Sequence, residues 1–403
     1  MVDLFYIRPL YEIATFQISL LLLTKQPLHV KIKKGVICMG KCSKKVTKYN
    51  VLHICDYAAA YRGNFIDSLC SLEKYHGDVN NFYLFPNRAQ NNSAKEWITE
   101  MNKDKEVAYI QKSNFFSNAL LLSNLIKKHK INRIVRHFSD FKMDILVRML
   151  FGGKNVIRFF HCDCERPKSA LKFKISEMVW KNNKLVGVSD AVTEHIKNIH
   201  KGFSAYSIVN AICFDRLDVV DEYSKPDGIA LLMMGWAYEI KGVDLAVKAA
   251  SALRERYDIK LQISGGKNED KIKELVKDIL GYEADWIIFL PPTNNVGTYY
   301  KNNDIFLSPS RREAFGYANI EAAYCKNSIV LSKVDGQGEL NIEGAYWIKR
   351  DDVEDFKEKL ELAIIEYNTP EKTEQKERAK QQVEKTYSLQ TWSDKLYSLL
   401  INI

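Results

Sequence analysis

The sequence predicts an α/β protein built from two doubly wound parallel sheets that face each other across a cleft. Three observations carry that expectation. At 403 residues the chain is too long for one ordinary domain and about right for two of roughly 150 to 200 residues. Short apolar runs alternate with helical stretches, the order in which a parallel sheet is wound. The same alternation occurs twice, before and after a polar stretch from Asp221 to Asp227 that carries Pro226 and is followed by Gly228.

The first series opens at Tyr49, where Asn50-Val51-Leu52-His53-Ile54-Cys55-Asp56 reads as a short buried strand. A glycine-containing turn follows, then a helix from Asn64 to Tyr75 with Phe65, Leu69 and Leu72 on one face. Further strands are expected over 81–85, 133–137, 155–160 and 184–188, with helices over 116–129 and 140–150 between them. The second series predicts strands over 229–234, 260–264, 286–290, 305–308 and 328–331, and helices over 243–257, 270–280 and 317–325. Two such units in tandem put a ligand between them, at the carboxyl ends of the strands.

Composition narrows the class. Apolar residues at 46% and charged residues at 27% are ordinary globular values, which argues against a disordered chain and against a multispanning membrane protein. A net charge of +9 favours a negative partner such as a nucleotide diphosphate or anionic lipid headgroups. Basic residues form only short clusters, Lys31, Lys33 and Lys34 or Lys41, Lys44 and Lys45, and no nucleic-acid motif accompanies them, so no nucleic acid is expected. Eight scattered cysteines lack the spacing of a disulfide framework, which fits a reducing cytoplasm. His161, Cys162, Asp163 and Cys164 adjoin one another, but without a second cluster they predict no metal site.

Residues 1–46 are expected to form an N-terminal extension. Phe5 to Leu23 is largely apolar yet broken by Arg8, Pro9 and Glu12, and it lacks a basic start and a small-residue cleavage site. Three readings stay open here: a poorly ordered extension, an interfacial membrane segment, or upstream sequence preceding a start at Met39.

The chemistry concentrates in Ser308-Pro309-Ser310-Arg311-Arg312-Glu313-Ala314-Phe315-Gly316-Tyr317-Ala318-Asn319-Ile320-Glu321-Ala322. A strand ends at Ser308, a loop carries Glu313, and a helix starts near Gly316 with Glu321 one turn inside it. Free N–H groups at a helix start, with the helix dipole behind them, bind phosphate, and Gly316 lets a ligand approach the backbone. A carboxylate beside that start accepts from sugar or ribose hydroxyls. Taken alone, two glutamates at this spacing are better read as two solvated side chains, one on a loop and one on a helix.

With its neighbours included, the segment resembles the retaining glycosyltransferases of family 4, the group 1 type found in capsular and surface polysaccharide synthesis. That resemblance implies the GT-B fold: two Rossmann-like doubly wound domains across a cleft, with a C-terminal helix crossing back to the first. It divides the chain into an acceptor-binding domain over 47–222, a nucleotide-sugar-binding domain over 223–385 and a crossing helix over 386–403, entered through Tyr387-Ser388-Leu389-Gln390-Thr391-Trp392. It also implies that Glu313 contacts the donor sugar and Glu321 the ribose, with Ala314, Phe315, Gly316 and Tyr317 lining the donor between them.

The resemblance extends to Gly235-Trp236-Ala237-Tyr238-Glu239-Ile240-Lys241-Gly242. Gly235 and Lys241 fall where the family binds the donor diphosphate, and Lys241 would stabilise the charge that builds on the leaving group. Trp236 stands where the family usually has an arginine; Arg311 and Arg312 are the candidates to replace that cation. Phe159-Phe160-His161 resembles the segment whose histidine faces the reacting sugar, against the plainer reading of a structural histidine. Arg62, Gly63 and Asn64 follow the first strand, where the family binds its acceptor. Ser189 resembles the N-cap of the first domain's last strand-to-helix turn, and Gly336-Gln337-Gly338-Glu339 a loop that approaches the nucleotide.

The function so implied is a hexosyltransferase-like, nucleotide-sugar-dependent enzyme acting on a glycan or lipid-linked acceptor with retention. Catalytic roles fall to Glu313, His161 and Lys241. No metal or other cofactor is implied beyond the nucleotide sugar as co-substrate. The expected place is the cytoplasm, peripheral to the inner face of the membrane, whose anionic surface is a further expected partner. Two alternatives stand beside this reading: a non-catalytic GT-B partner subunit, suggested by Trp236, and a nucleotide-sugar epimerase.

Overall fold

A computed structural model describes residues 49–403 apart from 60–61, 91–94, 111–113, 139 and 163–168. The expectations for residues 1–46, and for Asp163 and Cys164, lie outside the described residues.

The chain opens with β1 (Tyr49–Cys55), α1 (Gly63–Tyr75), β2 (Val79–Pro86), α2 (Lys95–Asp104), β3 (Val107–Ile110), α3 (Phe115–Lys128), β4 (Arg133–His137), α4 (Phe141–Leu150) and β5 (Val156–Phe160). Then come α5 (Ala170–Trp180), β6 (Lys184–Gly187), α6 (Asp190–Ile199), β7 (Ala205–Ser207) and a short α7 (Asp215–Asp218). Every pairing among these strands is parallel, in the order β3-β2-β1-β4-β5-β6-β7. Local capping agrees with the sequence: Asn114, Asp140, Ser169 and Ser189 each accept a first-turn N–H of the helix they precede.

The second series contains β8 (Ile229–Met234), α8 (Tyr238–Lys241), α9 (Val243–Leu253), β9 (Ile259–Ser264), α10 (Glu269–Leu280), β10 (Ile287–Phe289), α11 (Gly297–Lys301) and β11 (Ile305–Ser308). It continues through α12 (Tyr317–Tyr324), β12 (Ser328–Ser332), β13 (Tyr346–Ile348), α13 (Val353–Glu366) and α14 (Pro370–Thr386). Its sheet is also parallel, ordered β10-β9-β8-β11-β12-β13. All five residues of β12 and all four of β11 are buried, as strands covered on both faces must be.

Both sheets reverse direction at one point, between β1 and β4 and between β8 and β11. Loops leaving neighbouring strands there go to opposite faces and leave a crevice, so the switch points place the site. The last helix, α15 (Leu389–Ile401), returns to the first domain. Its Trp392, Leu396 and Leu400 join the core formed by β1, β2 and α1, and Ser393 Oγ donates to the Ser71 carbonyl at 3.3 Å. Two parallel-sheet domains with such a crossing helix are the predicted GT-B architecture.

Candidate functional site

The second domain brings two loops together at its switch point. The connection after β8 carries Lys241 at the end of the short helix α8, and the loop after β11 carries Glu313. Arg311 N–H donates to the Ile240 carbonyl at 2.7 Å. Gly242 has φ 69°, and a Cβ there would stand 2.3 Å from the Pro309 carbonyl oxygen, so only glycine lets the loops approach this closely. The result is an ion pair between Lys241 Nζ and Glu313 Oε2, each side chain less than a fifth exposed.

Beside this pair, α12 starts at Gly316, whose φ of 92° is left-handed. A Cβ on Gly316 would lie 2.6 Å from Asn319 Nδ2. No side chain caps the first turn; the Asn319 N–H donates to the Gly316 carbonyl at 3.1 Å, which leaves the Tyr317 and Ala318 N–H groups for an anion. Phe315 is buried and packs edge-on against Tyr317 at 5.1 Å. Phe315 therefore turns its side chain into the core of the second domain. Gly235 ends β8 with its N–H on the Ser264 carbonyl at 3.0 Å.

Glu321 lies one turn into α12 and is buried. Its Oε1 accepts from Asn64 Nδ2 at 2.8 Å and its Oε2 from the Tyr300 hydroxyl at 2.9 Å. Burial raises its pKa, against the opposing pull of Arg216 and the two hydrogen bonds. Asn64 belongs to the first domain. Its Oδ1 also accepts from Cys213 N–H at 3.0 Å and Arg216 Nη1 at 3.1 Å. Asn64 is thus a buried tie between the domains rather than an open acceptor contact, which corrects the expectation for it. Arg62 is likewise engaged, pairing with Asp67 at 2.6 Å and Glu100 at 2.9 Å, while Gly63 begins α1.

Across the cleft, His161 follows β5. Its ring stacks on Phe138 at 4.2 Å and stands edge-on to Phe65 at 5.4 Å. Nε2 of His161 is 3.2 Å from Nδ1 of His137, which in turn stacks near His53 at 5.8 Å. Burial pushes His161 down to about 3 and His53 down to about 4, and holds His137 well below its ordinary value. All three are neutral near pH 7, so His161 can donate or accept a hydrogen bond but brings no charge.

Several residues lie elsewhere than expected. Arg311 does not replace the missing arginine: it forms a two-bond pair with Asp244 at 2.9 and 2.8 Å and a further pair with Asp351. Gln337 is fully buried and braces Ser308, Ser332 and Asn319. Glu339 accepts from Asp190 N–H at 2.9 Å, capping α6 across the cleft. The Gly336–Glu339 segment is therefore an interdomain strut. Tyr300 and Arg216 escaped the sequence reading, because nothing in their local pattern marks them. Trp236 is 62% exposed, and Lys241 Nζ lies 5.9 Å from the centre of its ring.

Residues 219–382 match the family described as "Glycosyl transferases group 1". A protein of Haemophilus influenzae named as a glycosyltransferase is 25% identical over 285 residues, covering 68% of this chain and 76% of its own. Among solved structures, a glycosyltransferase from Rickettsia africae superimposes with a TM-score of 0.74 at 19% identity, over 88% of this chain and 98% of that one. The Anabaena protein HepE, solved with UDP and glucose, gives 0.69 at 12% identity, over 88% and 100%.

Proposed function

We infer, from the premise that the chain is a nucleotide-sugar-dependent glycosyltransferase of the GT-B fold, that it transfers one sugar with retention to a glycan or lipid-linked acceptor of a bacterial surface polysaccharide. The observation that carries the mechanism is the Lys241–Glu313 pair beside the uncapped start of α12. A diphosphate seated there meets one ammonium group and the first-turn N–H groups, which hold the charge that develops as it leaves. The sugar lies by Glu313, which accepts from its hydroxyls. Two of the roughly four lone-pair directions of the Glu321 carboxylate remain for the ribose.

In the transfer, the acceptor oxygen bonds to the anomeric carbon as the bond from that carbon to the phosphate oxygen breaks. The departing phosphate takes the acceptor's proton, so the products are the glycoside and a nucleoside diphosphate. His161, held neutral, faces the sugar and orients a hydroxyl. Glu313→Ala tests this: the unaltered chain releases nucleotide slowly from its nucleotide sugar without acceptor, and the variant does not. Undiminished release by the variant would sink the assignment. Proton couplings at the anomeric centre of the product check retention.

A lipid-linked acceptor draws support from one face of the first domain. Helix α3 packs on α4 and α4 on α5. Phe116 and Leu120 on α3 and Leu171 and Met178 on α5 are each 46–60% exposed, with Lys172 and Lys174 among them. Exposed apolar side chains interleaved with lysines suit an anionic membrane surface. No helix among the described residues is long and apolar enough to cross a membrane. Flotation with anionic vesicles but not neutral ones is the expected result; sedimentation with both would remove the membrane from the reading.

A further inference from the structure

We propose that His137 is a positioning residue: it donates from Nδ1 to Nε2 of His161 and thereby holds the His161 hydrogen on Nδ1, as a fixed donor to an oxygen of the transferred sugar. The inference rests on the reading that His161 faces the sugar, and deepens it. Parallel pairing sets His137, the last residue of β4, beside Phe159 of β5. Alternate residues share a face, so His161, two positions on, reaches the same side, and its Nε2 stands 3.2 Å from Nδ1 of His137. Both rings are clamped: His137 stacks on Phe159 at 4.7 Å and His161 on Phe138 at 4.2 Å, with Phe65 edge-on to each.

Counting hydrogens decides the direction of that bond. Each ring is neutral near pH 7 and carries a single N–H. His137 is fully buried, and its Nε2 has no partner among the described residues. Were His161 the donor, the hydrogen of His137 would be stranded on that Nε2. With His137 as donor only a lone pair is stranded, and the orphan donor is the rarer of the two, as backbone groups show. The neighbouring His53, also neutral, makes the same choice. Asn81 Nδ2 donates to the Leu69 carbonyl at 3.1 Å, which leaves Asn81 Oδ1 to accept from His53 Nε2 at 3.2 Å. The bare lone pair of His53 is then on its buried Nδ1. His161, by contrast, is only half-buried, and among the described residues its one hydrogen-bond partner is His137. Its Nδ1–H is left for a ligand.

Nitrogen-15 spectra of the full chain, labelled at histidine, read the hydrogens directly, with His137→Phe and His161→Ala to assign the two rings. The expected result at pH 7.5 is hydrogen on Nδ1 of both rings, and a shift of His161 toward Nε2 protonation in His137→Phe. Hydrogen on Nε2 of His161 in the unaltered chain would overturn the proposal. Nucleotide release from UDP-glucose, UDP-N-acetylglucosamine and GDP-mannose supplies the second readout. For any of these that the chain consumes, His137→Phe should lower kcat/KM about tenfold. His137→Asn, whose amide N–H stands near the place of Nδ1, should recover most of the rate. In a His161→Ala background the His137→Phe change should cost less than about twofold, since His137 acts through His161. An undiminished loss there would mean that His137 only supports the fold, and would overturn the proposal. Release from none of the three by the unaltered chain would overturn the transfer reading and the sugar half of the proposal, while the spectra decide the hydrogen-bond arrangement without a substrate.

Discussion

The two walls of the cleft solve the same problem, placing polar groups in a half-dry space, in opposite ways. On the second domain the polar groups are permanent charges, Lys241 with Glu313 and Arg311 with Asp244 and Asp351. On the first, beside ion pairs such as Arg62 with Asp67, they include imidazoles, His161 with the fully buried His137 and His53 behind it, set among Phe65, Phe138 and Phe159. A wall that takes a diphosphate needs charge that persists when water leaves, and ion pairing keeps it there. A wall lined by buried aromatic rings is better served by hydrogen bonds without charge. Histidine supplies them at small cost, because its ordinary pKa near 6.5 lets it shed a proton on burial.

That difference predicts an asymmetric response to acid, the largest effect expected. Each of the three histidines has a folded pKa below its unfolded one, so the unfolded chain binds more protons as pH falls below about 6.5. Stability is therefore full above that pH and declines from about 6.5 toward the folded values of about 4 for His53 and about 3 for His161. At pH 5 the linkage amounts to about 2 kcal/mol for each of His53 and His161, roughly 4 kcal/mol together, and His137 acts in the same direction. Urea unfolding at pH 7.5 and pH 5, followed by Trp392 on the first-domain side, measures it. Replacing His53 and His137 by Gln should flatten the dependence. An unchanged acid slope in that variant would mean that the burial of these rings is not what sets it.

The other wall is tested by removing its cation. Lys241→Ala should lower kcat/KM for the donor by about 10² to 10³, the range found when one preorganised charge-stabilising group is lost. Lys241→Arg should recover part of the rate. A loss under about tenfold would show that the α12 N–H groups alone hold the diphosphate, and the contrast between a charged wall and a neutral one would lose its functional meaning.

Both walls differ also in how far the sequence discloses them. Interior strands such as β8 and β11 follow apolar runs that end where expected. The strands that escape, β3, β7 and β13, are sheet edges of three or four residues with half-open faces, so neither a continuous apolar run nor a clean alternation marks them. Helix α14 escapes for a related reason: only Lys372, Ala379 and Val383 are buried along its 17 residues. In the site, Glu313 and Lys241 are legible only through a family resemblance carried by short segments, each local in the sequence. The partner of Glu321 is not, because Asn64 lies 257 residues away and is brought to it only by the docking of two separately wound sheets.

Asn64 is where the comparison closes, since it fastens one wall to the other. Its amide serves Glu321, Cys213 N–H and Arg216 together, and truncation leaves buried groups short of a partner. Asn64→Ala should cost about 2 kcal/mol, with water replacing part of what is lost. Asn64→Asp keeps the shape but turns a donor into an acceptor that faces a carboxylate. Compared with the unaltered chain at each pH, it should lose more at pH 8 than at pH 5.5, because Glu321, already raised by burial, takes a proton more readily at the lower pH. A loss independent of pH would mean that the domains are held by shape, through α15 and the Glu339 cap, and that the Asn64 amide serves only to fill the seam.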